Sequence, residues 1–307
     1  MMALKPAVFL GPDPWPELLM AVAEGGCTVA PLMSDAEAVI WFGRDPEALA
    51  EGLPSSLRWL QVPDAGIEKW VRPEFIDRDF TLTCASSIYG PQVAEHALAL
   101  LLGPLHGLPE FARSSAWSPQ AATVRSIRGL SILILGGGGI GAALASMVSA
   151  LGARSVVLTR SGRTVEGADV SLGADALEAQ LADADAVVIC LPATPQTRGM
   201  VERRFLSLMK PDAVLVNVAR GDIVNTQDLL EALDQGRIAG AALDVTAPEP
   251  LPDGHPLLRH PRVLVTPHVA NPPWLKRASF VTLVRENCRR FAAGQPLEGV
   301  VDVDRGY

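Results

Sequence analysis

Three residues suited to proton transfer and anion binding each follow an apolar run. Arg220, in Asn217-Val218-Ala219-Arg220-Gly221-Asp222, comes after Ala213–Val218. Glu249, in Asp244-Val245-Thr246-Ala247-Pro248-Glu249-Pro250, comes after Ala239–Leu243, and His268, in Thr266-Pro267-His268, closes Arg262–Thr266. A guanidinium holds a carboxylate through a planar fork, an imidazole changes charge near neutral pH, and a carboxylate beside it favours the imidazolium. Each residue alone also reads as a surface ion pair or a core-satisfied histidine. All three past the ends of buried strands converge on the crevice where doubly wound sheets bind ligands, and this predicts a catalytic set.

A second constellation lies upstream. Leu130-Ser-Ile-Leu-Ile-Leu-Gly136-Gly137-Gly138-Gly139-Ile140-Gly141 places a G-x-G-x-x-G directly after a strand-like run and at the start of a helical one. Gly136 permits the tight turn, Gly138 lets backbone approach a pyrophosphate, and Gly141 lets helix and strand pack closely. Gly136, Gly138, Gly139, Ile140 and Gly141 are therefore expected to contact a dinucleotide, with the helix N-terminus facing its phosphates. An NAD site carries an acidic residue about 20 positions further on, for the ribose 2′-hydroxyl. No acidic residue occurs between Gly141 and Glu166; Thr159-Arg160-Ser161-Gly162-Arg163 stands there instead. Two guanidiniums and a hydroxyl in one turn suit a 2′-phosphate. The expected cofactor is NADP(H), with NAD(H) possible; the alternative reading of Arg160 and Arg163 is a solvated surface pair.

The elements that must carry these residues follow from periodicity. Beyond Leu130 the runs Ser131–Leu135, Ser155–Thr159, Ala186–Leu191, Ala213–Val218, Ala239–Leu243 and Arg262–Thr266 alternate with helix-like Ile140–Leu151, Asp175–Ala182, Glu202–Met209 and Thr226–Gln235. Apolar runs without alternation, separated by helices, predict parallel βαβ units in a Rossmann-type doubly wound α/β domain. Ahead of it, strand-like Ala7–Leu10, Ala38–Trp41 and Trp59–Val62 with helix-like Pro16–Glu24 and Pro46–Gly52 predict a smaller α/β domain. An apolar helix at Glu95–Leu102 and a final helix at Leu275–Ala293 make two crossovers, with a cleft between the domains. The expected division is residues 1–92 with 275–307, and 93–274.

Composition narrows the function classes. The 307 residues are 49% hydrophobic and 20% charged, enough for real cores, and 26 Lys+Arg against 34 Asp+Glu give a net charge of −8. An acidic chain without a basic run excludes nucleic acid as the main partner. Cys27, Cys84, Cys190 and Cys288 are far apart, so neither a disulfide framework nor a metal site is expected. No signal peptide and no membrane-length apolar run is read, so a cytoplasmic protein away from membranes is expected.

The sequence resembles the D-isomer-specific 2-hydroxyacid dehydrogenase family. The Gly-rich turn, Asn217-x-x-Arg220-Gly221, Asp244-Val-x-x-x-Glu249-Pro and Thr266-Pro-His268 occur in the family's order and spacing, as do Pro91-Gln-Val-Ala-Glu95-His96 and Ala65-Gly66-Ile67. The likeness is strongest to the short glyoxylate/hydroxypyruvate reductases, through Thr159–Arg163, Trp117, Trp274 and the Gly299–Tyr307 stretch. The resemblance implies a flavodoxin-like fold for the smaller domain. It implies hydride transfer between a nicotinamide and a small 2-oxoacid, giving the D-2-hydroxy acid. His268 would be the general acid, Glu249 its partner, and Arg220 the carboxylate anchor. Ala65 and Gly66 would complete the carboxylate site through backbone N–H groups, with Trp274 also at the substrate. Asp244 would accept from the nicotinamide carboxamide, and Leu191, Pro192, Thr197, Val218 and Ala219 would line the cofactor. His96 would be structural, and Trp117 would pack in a homodimer. Thr246-Ala247 and Asn271-Pro272-Pro273 depart from the family pattern near the substrate. Other readings are a cofactor-sensing, corepressor-like binding protein, or a dehydrogenase for a bulkier 2-hydroxy acid or phosphoglycerate.

Overall fold

The structure, a computed structural model, describes residues 5–43, 45–86, 88–115, 117 and 124–302. The chain divides into two compact units, residues 1–89 with 272–307, and residues 90–271.

The first unit holds strands β1 (Ala7–Gly11), β2 (Thr28–Val29), β3 (Ala38–Trp41), β4 (Trp59–Gln61) and β5 (Thr81–Thr83), all parallel, in the order β2-β1-β3-β4-β5. This is the flavodoxin order. Helices α1 (Pro16–Glu24), α2 (Pro46–Ala50) and α3 (Pro73–Ile76) each begin on a proline, whose fixed φ suits a first turn and whose missing N–H costs nothing there. β2 and β5 carry no sequence expectation, because Thr28-Val29 and Thr81-Leu82-Thr83 are short and hydroxyl-rich.

The second unit runs α4 (Gly90–Leu105), α5 (Leu108–Arg113), β6 (Ser131–Leu135), α6 (Gly139–Ala150), β7 (Arg154–Leu158), β8 (Val170–Leu172), α7 (Leu177–Asp183), β9 (Ala186–Ile189), α8 (Arg203–Leu208), β10 (Val214–Asn217), α9 (Thr226–Asp234), β11 (Gly240–Leu243), α10 (Pro256–Arg259) and β12 (Val263–Val265). Its seven strands are parallel in the order β12-β11-β10-β9-β6-β7-β8. The order reverses between β6 and β9, the switch point at which such sheets bind ligands. β9 and β10 are buried along their whole length, as their unbroken Ala/Val/Ile/Leu runs require. Each fully buried Val or Ile contributes about 1.5–3 kcal/mol of transfer free energy.

The last helix, α11 (Pro273–Ala292), returns to the first unit and packs on α1. Phe280 is wholly buried edge-on to Trp15 and Phe42, and Arg277 and Arg285 reach Glu17 and Glu24 at 2.5 Å.

Several sequence boundaries move. The helix expected at Glu95–Leu102 spans Gly90–Leu105, because Pro91 sits in its first turn. Thr159, Leu191, Val218 and Thr266 leave their strands and belong to loops at the carboxyl edge of the sheet. The unit boundaries fall at 89/90 and 271/272 rather than 92/93 and 274/275. Gln92 explains the first shift: its Nε2 donates to Asn271 Oδ1 at 2.8 Å, tying both ends of the second unit together. Trp274 therefore belongs to the first unit. The Rossmann edge strand β8 is only half-buried and contains Ser171, so no apolar run marks it.

Candidate active site

The glycine-rich turn lies at the switch point. Gly136 adopts φ +108, and a Cβ there would stand 2.7 Å from the Cys190 carbonyl oxygen in the loop after β9. A Cβ on Gly141 would lie 1.9 Å from the Gly136 carbonyl oxygen, which is how α6 starts directly against the β6 turn. A Cβ on Gly138 would meet nothing within 4 Å, so the backbone before the α6 N-terminus faces open space. Gly139 and Ile140 form the first turn of α6, and the Gly139 backbone is abutted by Gly90 at the start of α4. On the β9 side, Thr197 Oγ1 donates to the Pro192 carbonyl at 2.6 Å and closes the loop after Leu191. Val218 and Ala219 are buried, each with only 6% exposure.

The turn after β7 presents its polar groups unequally. Thr159 Oγ1 is buried and has no partner among the described residues. Arg163 donates to the Gly137 carbonyl at 2.5 Å, joining this turn to the glycine loop. Arg160 and Ser161 are exposed at its rim. An orphaned hydroxyl, a guanidinium at the rim and an open backbone at a helix N-terminus fit a phosphorylated dinucleotide.

The three acid–base and anion-binding residues are linked through their loops. His268 Nδ1 lies 2.6 Å from Glu249 Oε1, both side chains remaining half-exposed, so Nε2 is the nitrogen left for other chemistry. His268 has φ +53, a left-handed backbone that a non-glycine residue adopts only under constraint. Thr246 N–H donates to Glu249 Oε2 at 3.4 Å, and Thr226 Oγ1 holds the Ala247 carbonyl at 2.6 Å. A Cβ on Gly221 would lie 1.9 Å from the Thr246 carbonyl oxygen, so only glycine lets the Arg220 loop press on the Glu249 loop. Asn217, wholly buried at the end of β10, accepts from Ala219 N–H at 3.0 Å and donates to the Arg220 carbonyl at 2.8 Å, fixing the backbone that presents Arg220. Arg220 Nη1 donates to the Ala219 carbonyl at 2.8 Å.

Asp244 is buried at 2% exposure, and its carboxylate organises the His268 loop. Oδ1 accepts from Thr266 Oγ1 at 2.6 Å and Val269 N–H at 2.9 Å, and Oδ2 accepts from Ala270 N–H at 3.1 Å. The Asp244 carbonyl accepts from His268 N–H at 2.8 Å. The carboxamide role implied for Asp244 thus falls on a carboxylate already engaged within the chain, with its remaining acceptor capacity on Oδ2. His96, expected only as structural, lies beside it, 3.3 Å from Oδ1. Burial pushes the Cys190 thiol up to about 12, which keeps it protonated and poorly suited to act as a nucleophile.

In the first unit, the Ala65 and Gly66 N–H groups have no acceptor among the described residues. Their loop is braced from behind: Tyr89 donates to the Pro63 carbonyl at 3.0 Å, Ala85 N–H to the Asp64 carbonyl at 2.8 Å, and Trp70 Nε1 to Asp64 Oδ2 at 2.9 Å. Burial pushes the Tyr89 phenol well above its usual range, so it remains a donor. Trp274, in the first turn of α11, is 72% exposed. Trp117 is 99% exposed; its neighbours Ala116 and 118–123, and 303–307 at the C-terminal stretch, lie outside the described residues. Among the described residues no group of metal-ligating side chains occurs, and no helix is long and apolar enough to cross a membrane.

A flavodoxin-like unit and a Rossmann unit in one chain, with Arg, Glu and His on successive loops at one edge of the Rossmann sheet, define a nucleotide-dependent dehydrogenase architecture. Residues 97–270 match the family described as D-isomer specific 2-hydroxyacid dehydrogenase, NAD binding domain, and the chain belongs to this family. Among its relatives, the glyoxylate/hydroxypyruvate reductase A of Serratia proteamaculans is 35% identical over 219 residues, 70% of this chain and 69% of that protein. Two solved structures are similar over 99% of this chain and the whole of theirs. One is a D-isomer specific 2-hydroxyacid dehydrogenase from Xanthobacter autotrophicus, in complex with NADPH and MES (29% identity, TM-score 0.86). The other is an NADPH-dependent glyoxylate/hydroxypyruvate reductase from Sinorhizobium meliloti, in complex with NADP and sulfate (26% identity, TM-score 0.82).

Proposed function

We propose that the protein reduces a small 2-oxoacid of the glyoxylate or hydroxypyruvate kind to its D-2-hydroxy acid, with NADPH as the preferred reductant. The observation that carries this reading is the His268–Glu249 pair at 2.6 Å, on loops linked to that of Arg220 at the sheet's carboxyl edge. When bound, NADPH supplies the hydride. Gly136–Gly141 would hold its pyrophosphate, and Thr159, Arg160, Ser161 and Arg163 its 2′-phosphate. Glu249 fixes the imidazole through Nδ1, and His268 delivers a proton from Nε2 to the ketone oxygen as general acid. Arg220 anchors the substrate carboxylate and polarises the carbonyl. The Ala65 and Gly66 N–H groups would be the first unit's own donors toward a carboxylate. The reading includes a homodimer that covers Trp117, which size-exclusion chromatography with light scattering on the wild type and Trp117→Ser would test.

The test of the reaction is loss of reduced-nicotinamide absorbance, with NADPH and NADH side by side against glyoxylate, hydroxypyruvate, pyruvate and a branched 2-oxoacid. Turnover with NADPH and at least one acid, slower with NADH, is expected. Tight NADPH binding with no turnover on any acid would favour a sensor.

A further inference from the structure

We infer that His96 is a positioning residue for His268, acting through Asp244 and Thr266, with Gln92 as its companion at the other end of the same loop. The inference rests on the reading of His268 as the proton donor. Gln92 and His96 are one turn apart on α4 and so share a face of that helix. His96 Nε2 lies 3.1 Å from Thr266 Oγ1 and 3.3 Å from Asp244 Oδ1, while Gln92 Nε2 donates to Asn271 Oδ1 at 2.8 Å. Thr266 and Asn271 bracket the segment that carries His268. The helix therefore clamps the loop at both ends.

Donor and acceptor arithmetic gives the direction of the clamp. The single hydroxyl proton of Thr266 goes to Asp244 Oδ1 at 2.6 Å, so Thr266 can only accept from His96. A neutral His96 must then carry its proton on Nε2. That N–H points at two oxygens which both serve the His268 loop, and it stops the Asp244 carboxylate from turning away from Val269 and Ala270 N–H. The left-handed backbone of His268, φ +53, is uncommon outside glycine, and such a restraint helps to hold it. The same helix abuts Gly139 through Gly90, so one rigid element registers both the glycine turn and the His268 loop.

The test compares full-length wild type, His96→Ala and His96→Gln. Amide hydrogen exchange is read over 266–271 and over 136–141, alongside kcat, KM and NADPH affinity. His96→Ala is expected to speed exchange in 266–271 but not in 136–141. It should lower kcat about tenfold, the scale of one lost hydrogen-bond partner, with NADPH affinity unchanged. His96→Gln, which returns an N–H donor on a side chain of similar reach, should recover most of both. Unchanged exchange at 266–271 in a folded His96→Ala protein overturns the inference, as does a kcat loss that His96→Gln does not relieve. A wild type inert toward 2-oxoacids would refute the reductase reading instead, and the exchange data would still decide the clamp.

Discussion

Two alanine substitutions in the glycine-rich turn should behave differently, because the two positions are glycine for different reasons. At Gly141 an added Cβ would sit 1.9 Å from the Gly136 carbonyl oxygen, and both partners are backbone. Reaching a tolerable 3.0 Å means moving the start of α6 by about 1 Å against β6, a strain of the overpacking kind costing about 1–3 kcal/mol. Gly141→Ala should therefore lower Tm by about 2–10 °C and weaken NADPH binding as well. At Gly138 the added Cβ meets nothing within 4 Å, and φ −75 suits alanine. The small loss of a glycine N-cap is offset by the reduced freedom of the unfolded chain, so Tm should move by no more than about 1–2 °C. The new methyl would occupy the space in which a pyrophosphate must approach the backbone, and NADPH should bind about 10- to 100-fold more weakly. The assay is calorimetric NADPH titration with thermal unfolding on both variants. Normal NADPH affinity in Gly138→Ala would refute the assignment of this backbone to the pyrophosphate. An unshifted Tm in Gly141→Ala would refute the packing argument.

Arg160→Ala should raise KM for NADPH about tenfold and leave KM for NADH unchanged, since an exposed guanidinium–phosphate contact sits at the low end of charge-assisted bonds; equal losses with both cofactors would sink the 2′-phosphate assignment. Glu249→Gln keeps an acceptor for His268 but loses the charge. Because both side chains are half-exposed, the loss in kcat should be only about five- to tenfold, and a drop of several orders of magnitude would mean that Glu249 does more than orient the ring. Asp185→Asn tests the opposite edge of the sheet. Burial raises the Asp185 carboxyl, but Ser131 N–H at 2.8 Å, Lys210 at 3.2 Å and Arg125 at 3.1 Å outweigh it, and the net shift is downward. A depressed carboxyl stabilises the fold above its unfolded value of about 3.9, and that contribution is lost as pH falls through the folded value. The variant should lose about 1–3 kcal/mol at pH 7 with kcat intact, and its deficit in urea denaturation should shrink below about pH 4; a constant deficit down to the lowest pH would contradict the cited contacts.

The placement of the candidate site residues was legible where it is written locally. Arg220-Gly221, Glu249-Pro250 and Thr266-Pro-His268 each follow a buried strand within a few residues, so one-dimensional spacing already places them at a sheet edge. The glycine turn was legible for the same reason. What escaped is non-local. His96 meets Thr266 across 170 positions, and only the odd pair of polar residues one turn apart on an apolar helix, Gln92 and His96, hints at it. Asn217 reads as the end of a strand, though it fixes the Arg220 backbone from a wholly buried position. The left-handed conformation of His268 arises from hydrogen bonds to Asp244 that no local propensity encodes.

The most direct test is the rate of NADPH oxidation by wild type and His268→Gln, at saturating NADPH, on the best of the four 2-oxoacids, with NADPH affinity measured on the same samples. The wild type should turn over and yield the D-hydroxy acid. His268→Gln should bind NADPH normally and lose about 100-fold or more in kcat, as removal of a general acid requires. Near-normal turnover by His268→Gln would contradict the assignment of proton transfer to this imidazole.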